Sequence, residues 1–136
     1  MIMAYERTYI MLKPDVLKRG IMGEIIARIE RKGYSIADIK MISLDEKILK
    51  EHYCHISGES FFSEIVEYMT SGPVVGLIVE GEKAVKGMRI LIGATKFEDA
   101  VAGTIRGDFA SDTTFNIIHG SDSVENAEIE IKRFFG

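Results

Sequence analysis

Cysteine, proline and long apolar runs are all scarce in this chain of 136 residues, and each scarcity narrows the class of protein. A single cysteine, Cys54, excludes an intramolecular disulfide framework and a cysteine-based zinc site. The longest nearly unbroken apolar stretch, 73–79, is much too short to cross a bilayer. With 17 basic and 21 acidic side chains the net charge is −4, so a broad basic face for nucleic acid is not expected.

The residues that are present predict one compact domain. Apolar residues make up 46% of the chain and charged residues 28%, a mixture that can bury a core. Only two prolines occur and no linker or repeat is visible, so residues 1–136 are predicted to form a single domain. Glu6 and Arg7 stand where a signal peptide needs its apolar region, and we therefore expect a cytoplasmic protein without membrane association.

Apolar periodicity predicts four strands interleaved with helices. The predicted strands are 7–12, 37–41, 74–79 and 115–118, and the last helix is expected to begin with a capping box of Asp122 and Glu125. The order of elements is β-α-β-α-α-β-α-β-α. This order fits an α+β fold of the ferredoxin-like, split βαβ type, in which helices cover a four-stranded antiparallel sheet.

Several well-known catalytic motifs are missing from the sequence. It contains neither a G-x-x-x-x-G-K-[ST] loop nor a G-x-G-x-x-G turn, so it is neither a P-loop nor a Rossmann nucleotide binder. It also contains no G-x-S-x-G elbow and no H-E-x-x-H pair.

The segment 116–123 (NIIHGSDS) is the most informative one in the chain. It places His119 between the end of a predicted strand and a run of residues that cap helices, near a helix N-terminus that favours anions. An imidazole in that position can act as a nucleophile towards phosphorus. A strand-end histidine that only hydrogen-bonds the adjacent turn explains the same residues, and the spacing alone favours this simpler reading.

Three cationic residues lie beside glycine or proline, where a phosphate can approach both backbone and side chain. They are Lys13 before Pro14, Arg89 shortly before Gly93, and Arg106 within 103–107 (GTIRG). For any one of them alone, ordinary surface charge is the better explanation.

Aromatic and histidine side chains elsewhere have structural explanations of their own. Phe61 heads a predicted helix and can stack on a base, although a Phe-Phe pair usually belongs to a core. His52 lies on an apolar helix face and is expected to be packed, while Cys54 and His55 are expected to have no role. From the residues alone, the sequence therefore indicates a possible phosphate site with a histidine nucleophile.

The segment 116–123 resembles the active-site signature of nucleoside diphosphate kinases. Other landmarks of that family occur in the same order: 13–15 (KPD) resembles its strand-end lysine motif, 71–75 (SGPVV) its central strand entry and 103–109 (GTIRGDF) its arginine loop. The resemblance implies a ping-pong transfer of the γ-phosphate from ATP or another nucleoside triphosphate to a nucleoside diphosphate. His119 would form the phosphohistidine, Glu130 would orient its imidazole, and Ser121 and Tyr53 would lie close by.

The same resemblance implies a nucleotide-binding set. Lys13 would contact the ribose and the phosphates, and Asn116 would contact the ribose. Phe61 would stack on the base, which suits an enzyme that accepts every base because stacking is tolerant of base identity. Mg²⁺ would arrive on the nucleotide phosphates, with no dedicated protein metal site. The remaining phosphate contacts would come from Arg89, Thr95 and Arg106.

The resemblance also implies a homo-oligomer, with a hexamer built from dimers favoured over a tetramer. The chain departs from the family pattern at Gly58-Glu59-Ser60, at Lys96-Phe97 and at Thr113, none of which touches the histidine chemistry. Two other functions compete with the kinase. A regulatory module would bind nucleotides without chemistry, and a phosphohistidine carrier would serve a partner protein.

Overall fold

Four strands form one antiparallel sheet in the computed structural model, which describes residues 5–113 and 115–136. The strands are β1 (Tyr5–Leu12), β2 (Ser35–Ile42), β3 (Val74–Glu82) and β4 (Ile118–Gly120). Their order in the sheet is β2-β3-β1-β4, and every neighbouring pair runs antiparallel. The predicted α+β sheet is confirmed. Residues 1–4 and 114 of the predicted domain lie outside the described residues.

Helices connect the strands and cover both faces of the sheet. They are α1 (Pro14–Arg19), α2 (Met22–Lys32), α3 (Glu46–His52), α4 (Phe62–Met69), α5 (Ala84–Ile92), α6 (Ile105–Phe109) and α7 (Val124–Phe135), with a 3₁₀ turn at Phe97–Asp99. Pro14 opens α1 at the first helical position, where its missing N–H is not needed. Gly20 then adopts φ 69°, a left-handed conformation that ends α1 and lets α2 begin in a new direction.

The central strand β1 separates two apolar clusters. Tyr9 and Met11 point to one face of the sheet and Ile10 and Leu12 to the other, because successive side chains of a strand alternate. The first face packs under α3, α4 and α7, and the second under α2, α5 and α6. All four side chains are fully buried, so β1, which Lys13 follows directly, is held rigidly.

The edge strand β2 differs from its sequence prediction. Alternation in 37–41 predicts a half-buried strand, yet Ile39 is 52% exposed and Met41 61% exposed. The cause is position, because β2 pairs with β3 on one side only and little of the chain covers its faces. The strand is also longer than predicted, with a register shift between Ile36 and Asp38.

The last strand and helix also need correction. The strand predicted at 115–118 is instead Ile118–Gly120, because Ile117 has a positive φ of 65° and cannot continue an extended ladder. The N-cap of α7 is Ser123 rather than Asp122, and its side chain accepts a hydrogen bond from the backbone N–H of Asn126 at 3.0 Å. The apolar periodicity of 124–134 predicts that Val124 faces inward, yet it is 45% exposed.

Among the described residues, no helix combines the length and the apolar character that a membrane span requires.

Candidate active site

His119 lies in the middle of β4, opposite Met11 of β1 in the register. Its side chain is 23% exposed and lines a cavity of about 610 Å³. The Nε2 atom lies 2.8 Å from Oε1 of Glu130 on α7. One ring nitrogen of the histidine is therefore held by the protein, and part of the side chain is accessible from the cavity.

Glu130 is itself fixed by a second hydrogen bond. The hydroxyl of Ser121, which is fully buried, donates to Oε1 of Glu130 at 2.6 Å. Burial raises the pKa of Glu130, but the hydrogen bonds from His119 and Ser121 outweigh it and the net direction is downward. Since an ionised carboxylate only accepts hydrogen bonds, Nε2 of His119 carries a proton, and in the neutral imidazole the lone pair is on Nδ1.

The chain makes an unusual turn just before His119. The backbone N–H of Ile118 donates to the carbonyl of Asn116 at 2.8 Å, which closes a three-residue γ-turn around Ile117. A β-branched residue with positive φ is strained, and such strain persists only where the surroundings hold it. Here the carbonyl of Ile117 accepts the N–H of Lys13 at 2.9 Å, so the turn joins β4 to the end of β1.

Gly120 allows α5 to approach the strand that carries His119. A Cβ atom at Gly120 would lie 2.6 Å from Cδ1 of Ile92, closer than carbon atoms pack. The carbonyl of Gly120 accepts a hydrogen bond from Nη1 of Arg89, on α5, at 3.3 Å. The absence of a side chain at this position thus brings an arginine to the edge of the cavity.

Lys13 follows β1 and enters the cavity from the sheet. It is 7% exposed, and its Nζ donates to Oδ1 of Asn116 at 2.6 Å. Burial, and then the nearby guanidinium of Arg106, lower the pKa of Lys13 to about 7, although Asp15 acts in the opposite direction. The ammonium group is therefore held where a phosphate would stabilise its charge.

Arg106 is the second buried cation of the cavity. Its guanidinium donates to the carbonyls of Ile118 at 2.6 Å, Gly93 at 3.3 Å and Asn116 at 3.4 Å. Burial, and then Arg89, lower its pKa to about 10, which leaves it charged at neutral pH. Among the described residues, no ion pair joins Lys13, Arg89 or Arg106 to a carboxylate. The positive charge there is available to an anion.

The outer rim of the cavity is open. Arg89 and Thr95 are exposed and also line a wider groove of about 880 Å³ that runs along α5. Cys54 and His55 are exposed and border the cavity as well. His119 does not line the wider groove. The smaller cavity, which contains both His119 and the buried cations, is therefore the candidate active site.

A narrower pocket of about 210 Å³ adjoins the cavity and shares Lys13, Tyr53 and Asn116 with it. Phe61 stands at its mouth, 45% exposed, as the residue that caps α4. Burial and the charge of Glu130 raise the pKa of Tyr53 to about 12, so its hydroxyl stays protonated at neutral pH. The pocket therefore offers an aromatic face at one end and polar groups at the other.

The structure brings all ten residues singled out from the sequence to one region. Phe61 lines the narrow pocket and Ser121 lies beneath Glu130, while the other eight line the cavity: Lys13, Tyr53, Arg89, Thr95, Arg106, Asn116, His119 and Glu130.

Sequence reasoning missed two neighbours of His119. His52 is buried as expected, but its ring centroid lies 4.8 Å from that of His119, and Arg133 contacts it. The one sequence feature that could have indicated this contact was the position of His52 on the apolar face of a helix.

One cluster has the composition of a metal site. Ligand atoms of His52, His119 and Glu130 all lie within 4.8 Å of one another. Nη1 of Arg133 already donates to Nδ1 of His52, and His119 is bound to Glu130. Lys13 and the guanidinium of Arg106 add positive charge to the same cavity. The cavity therefore suits an anionic ligand rather than a resident cation.

A histidine whose Nε2 is held by a carboxylate, and which lines one cavity with two buried cations, has the arrangement of a phosphoryl-transfer enzyme that uses a histidine nucleophile. The comparisons with known proteins agree. Residues 6–136 match the family model described as nucleoside diphosphate kinase. The chain belongs to the nucleoside diphosphate kinase family, phosphotransferases that pass the γ-phosphate of a nucleoside triphosphate to a nucleoside diphosphate through a phosphohistidine.

Individual relatives and structures are similar along nearly the whole chain. A nucleoside diphosphate kinase of Exiguobacterium sibiricum is 52% identical over 130 residues, covering 96% of this chain and 94% of the relative. One from Archaeoglobus fulgidus is 48% identical, covering 96% and 86%. The apo crystal structure of the Encephalitozoon cuniculi enzyme superposes with a TM-score of 0.92 at 50% identity, covering 96% of this chain and 89% of that one.

Proposed function

We propose that His119 is the nucleophile of this kinase and that the cavity around it binds the phosphates of both nucleotide substrates. The observation that carries the proposal is the pairing of Nε2 with Glu130, which leaves Nδ1 as the reactive nitrogen of a histidine that lines a cavity whose cations have no acidic partner among the described residues. Phosphoryl transfer depends on positioning and charge neutralisation, and both are available here.

Each half-reaction exchanges one bond at phosphorus. The lone pair of Nδ1 attacks the γ-phosphorus, the bond from phosphorus to the bridging oxygen breaks, and its electron pair leaves on the nucleoside diphosphate. The proton on Nε2 stays in the hydrogen bond to Glu130, whose carboxylate stabilises the positive charge that the ring acquires. A terminal oxygen of the second diphosphate then attacks the phosphohistidine and releases Nδ1.

We assign the nucleotide contacts by the position of each side chain. Lys13 and Asn116 bridge the cavity and the narrow pocket, which suits contacts to the ribose and the phosphates. Phe61 stacks on the base at the open end of the pocket. The groups that hold the phosphates are Arg89, Thr95 and Arg106.

We propose Mg²⁺ as the divalent ion of the reaction, bound through the nucleotide. Mg²⁺ retains most of its waters and is commonly held through substrate phosphates. The carboxylates of the cavity fit this arrangement because they are engaged: Glu130 with His119, Glu51 with Arg133 at 3.4 Å, and Asp122 with Asn126 at 2.6 Å. When bound, the ion neutralises charge on the phosphate oxygens.

Phosphoenzyme trapping tests the nucleophile. The protein is mixed with Mg²⁺ and γ-labelled ATP, examined for an acid-labile, base-stable adduct, and chased with GDP. We expect label on the wild-type protein that moves to GTP, and no label on His119→Ala, whose turnover falls by at least about 10⁴-fold. His55→Ala is the matched control, since it removes an exposed histidine and should label normally.

The other outcomes favour the competing functions. Label that stays on the protein during the chase would indicate a phosphohistidine carrier. Nucleotide binding without label would indicate a regulatory module. Substantial turnover by His119→Ala would show that another group is the nucleophile.

We also propose a homo-oligomer, a hexamer built from dimers in preference to a tetramer. The exposed edge strand β2 supports self-association, because Ile39 and Met41 present apolar surface beside unpaired backbone groups. Light scattering behind a sizing column tests the assembly, and Met41→Lys should weaken it. A wild-type monomer at micromolar concentration would contradict both assemblies.

Two assignments from the sequence stay predictions. We infer that residues 1–136 act as one domain, which the two clusters on one sheet support. We place the protein in the cytoplasm on its composition and its single cysteine. Cell fractionation with a tagged chain would test the second assignment.

A further inference from the structure

His52 forms one wall of the space that His119 occupies. It is the last residue of α3, its side chain is 9% exposed, and it lies under α7. Its ring centroid is 4.8 Å from that of His119, with the planes at 82°, and 5.2 Å from that of Phe134. The two imidazoles therefore meet edge to face, a geometry that restricts how the nucleophile can rotate.

Arg133 determines which nitrogen of His52 carries the proton. Nη1 of Arg133 lies 2.9 Å from Nδ1 of His52. A guanidinium has no acceptor atom, so it must donate and Nδ1 must hold the lone pair. His52 is therefore neutral, with its single proton on Nε2. An imidazolium could not accept this hydrogen bond, since both of its nitrogens carry protons.

The charged and titratable groups around His52 come from every element packed against it. Arg133 and Glu130 lie on α7, His119 on β4, Lys13 after β1, and Tyr53 directly after α3. Burial is the largest influence on the pKa of His52 and lowers it, as do His119, Arg133 and Lys13, while Glu130 raises it. The result is a pKa of about 3, well below neutral pH.

A neutral neighbour matters because the nucleophile gains positive charge as it reacts. When Nδ1 of His119 bonds to phosphorus and Nε2 keeps its proton, the ring becomes cationic. A second cation with its ring 4.8 Å away would oppose that change. Glu130 on one side and a neutral His52 on the other are together consistent with the charge that develops.

We propose that His52, held as its neutral Nε2–H tautomer by Arg133, is a positioning residue for His119 that fixes the orientation of the ring without adding positive charge beside it. This inference rests on the proposed function, because it concerns the same phosphoryl transfer. It assigns a role to two residues, His52 on α3 and Arg133 on α7, to which the proposed function gives none.

The sharpest test reverses the charge at position 133, whose arginine donates the hydrogen bond to His52. In Arg133→Glu, Nδ1–H of His52 can donate to a carboxylate, which favours the cation and raises the pKa of His52 towards or above its ordinary value of about 6.5. The rate of phosphoenzyme formation is measured by rapid quench as a function of pH. On the acid side of this profile (the acid limb), the dependence of the rate on pH should steepen from the uptake of one proton to the uptake of two. At about pH 5.5 the rate should fall about tenfold more than in wild type.

Matched variants separate titration of His52 from structural damage. Lys132→Glu makes the same charge change at the neighbouring exposed position of α7 and should leave the slope of the acid limb at one proton. Arg133→Glu combined with His52→Phe retains any damage from the first change but removes the titrating group, so its slope should return to one. Thermal unfolding of each variant measures the structural cost separately.

Selective ¹⁵N labelling of histidine gives a direct measurement, since the chain contains only three histidines. We expect wild-type His52 to keep its lone pair on Nδ1 and not to titrate between about pH 8 and about pH 5. A proton on Nδ1, titration in that range, or an unchanged acid limb in Arg133→Glu would overturn the inference. Failure of wild type to form a phosphoenzyme would instead overturn the proposed function.

Discussion

The two ends of the proposed nucleotide site are built differently. At the histidine end, Lys13 and Arg106 are buried and hydrogen-bonded, and His119 is held by Glu130. At the base end, Phe61 is 45% exposed and Thr113 is also exposed. One end is thus fixed by the core of the sheet, and the other consists of side chains on the surface.

The difference matches what each end has to do. A bond at phosphorus changes only when the reacting atoms are aligned, and a misplacement of about 1 Å can cost about 100-fold in rate. Stacking on a base requires a flat apolar face and little else. Rigidity at one end and tolerance at the other suit an enzyme that performs one reaction on many nucleotides.

Removing the side chain of Arg106 should have a larger effect than changing Lys13 or Phe61. We expect Arg106→Ala to lower kcat about 10²- to 10³-fold, the cost of losing one donor to developing charge. Arg106→Lys should recover part of the loss, because it keeps the charge but not the planar set of donors. Steady-state kinetics with ATP and GDP would measure both variants.

A measurement of folding stability must accompany the kinetics of Arg106→Ala. The guanidinium donates to three backbone carbonyls, so its removal also leaves buried acceptors without partners. Circular dichroism and thermal unfolding must show that Arg106→Ala is folded at the assay temperature. A folded variant with unchanged catalytic efficiency would place the phosphates elsewhere.

The histidine end shows how far sequence reasoning reaches. Local signals located β1, β3 and most helices, because apolar periodicity and glycine stops act within a few residues. The last strand was misplaced because the positive φ of Ile117 depends on its tertiary contact with Lys13. The exposure of Ile39 on β2 follows from strand order, which periodicity does not encode.

Sequence reasoning met the same limit at the candidate active site, where contacts between distant parts of the chain are not encoded in local patterns. The segment around His119 has a distinctive local composition, so the resemblance could identify it and Glu130. The contact of His52 with Arg133 joins α3 to α7 across 81 positions of sequence, and no local sequence pattern predicts it. Residues that act through another side chain are visible only when the fold has brought them together.

The charge of Lys13 supplies a pH-dependent test of the buried end. Its pKa in the free protein is about 7, whereas a bound phosphate should raise it, so binding takes up a proton above neutral pH. We expect the affinity for nucleoside diphosphates to fall as pH rises from about 7 to about 9, by up to about tenfold per unit. Isothermal titration calorimetry in buffers of different ionisation enthalpy measures the proton directly.

Two variants serve as controls for this prediction. Lys13→Arg keeps its charge throughout the range and should flatten the pH dependence. Lys18→Arg, at an exposed position of α1, should retain the wild-type slope. In the free protein the sign for stability is opposite: the unfolded chain holds the extra proton between about pH 7 and 10.5, so stability contributed by Lys13 rises with pH in that window. Proton uptake that persists in Lys13→Arg would assign it to another group.

Phe61 tests the tolerant end and should give the smallest effect. A stacked base contributes about 1–3 kcal/mol, so Phe61→Ala should raise KM about tenfold or more while kcat at saturation changes little. The increase in KM should be similar for purine and pyrimidine diphosphates, because stacking contacts the face of the base and not the hydrogen-bonding groups on its edge. Phe61→Tyr should keep the wild-type KM, and Tyr5→Ala should match wild type as an exposed aromatic outside the site. A loss confined to one base would mean that the open end also makes specific contacts, and that tolerance at this end is less complete than its exposure suggests.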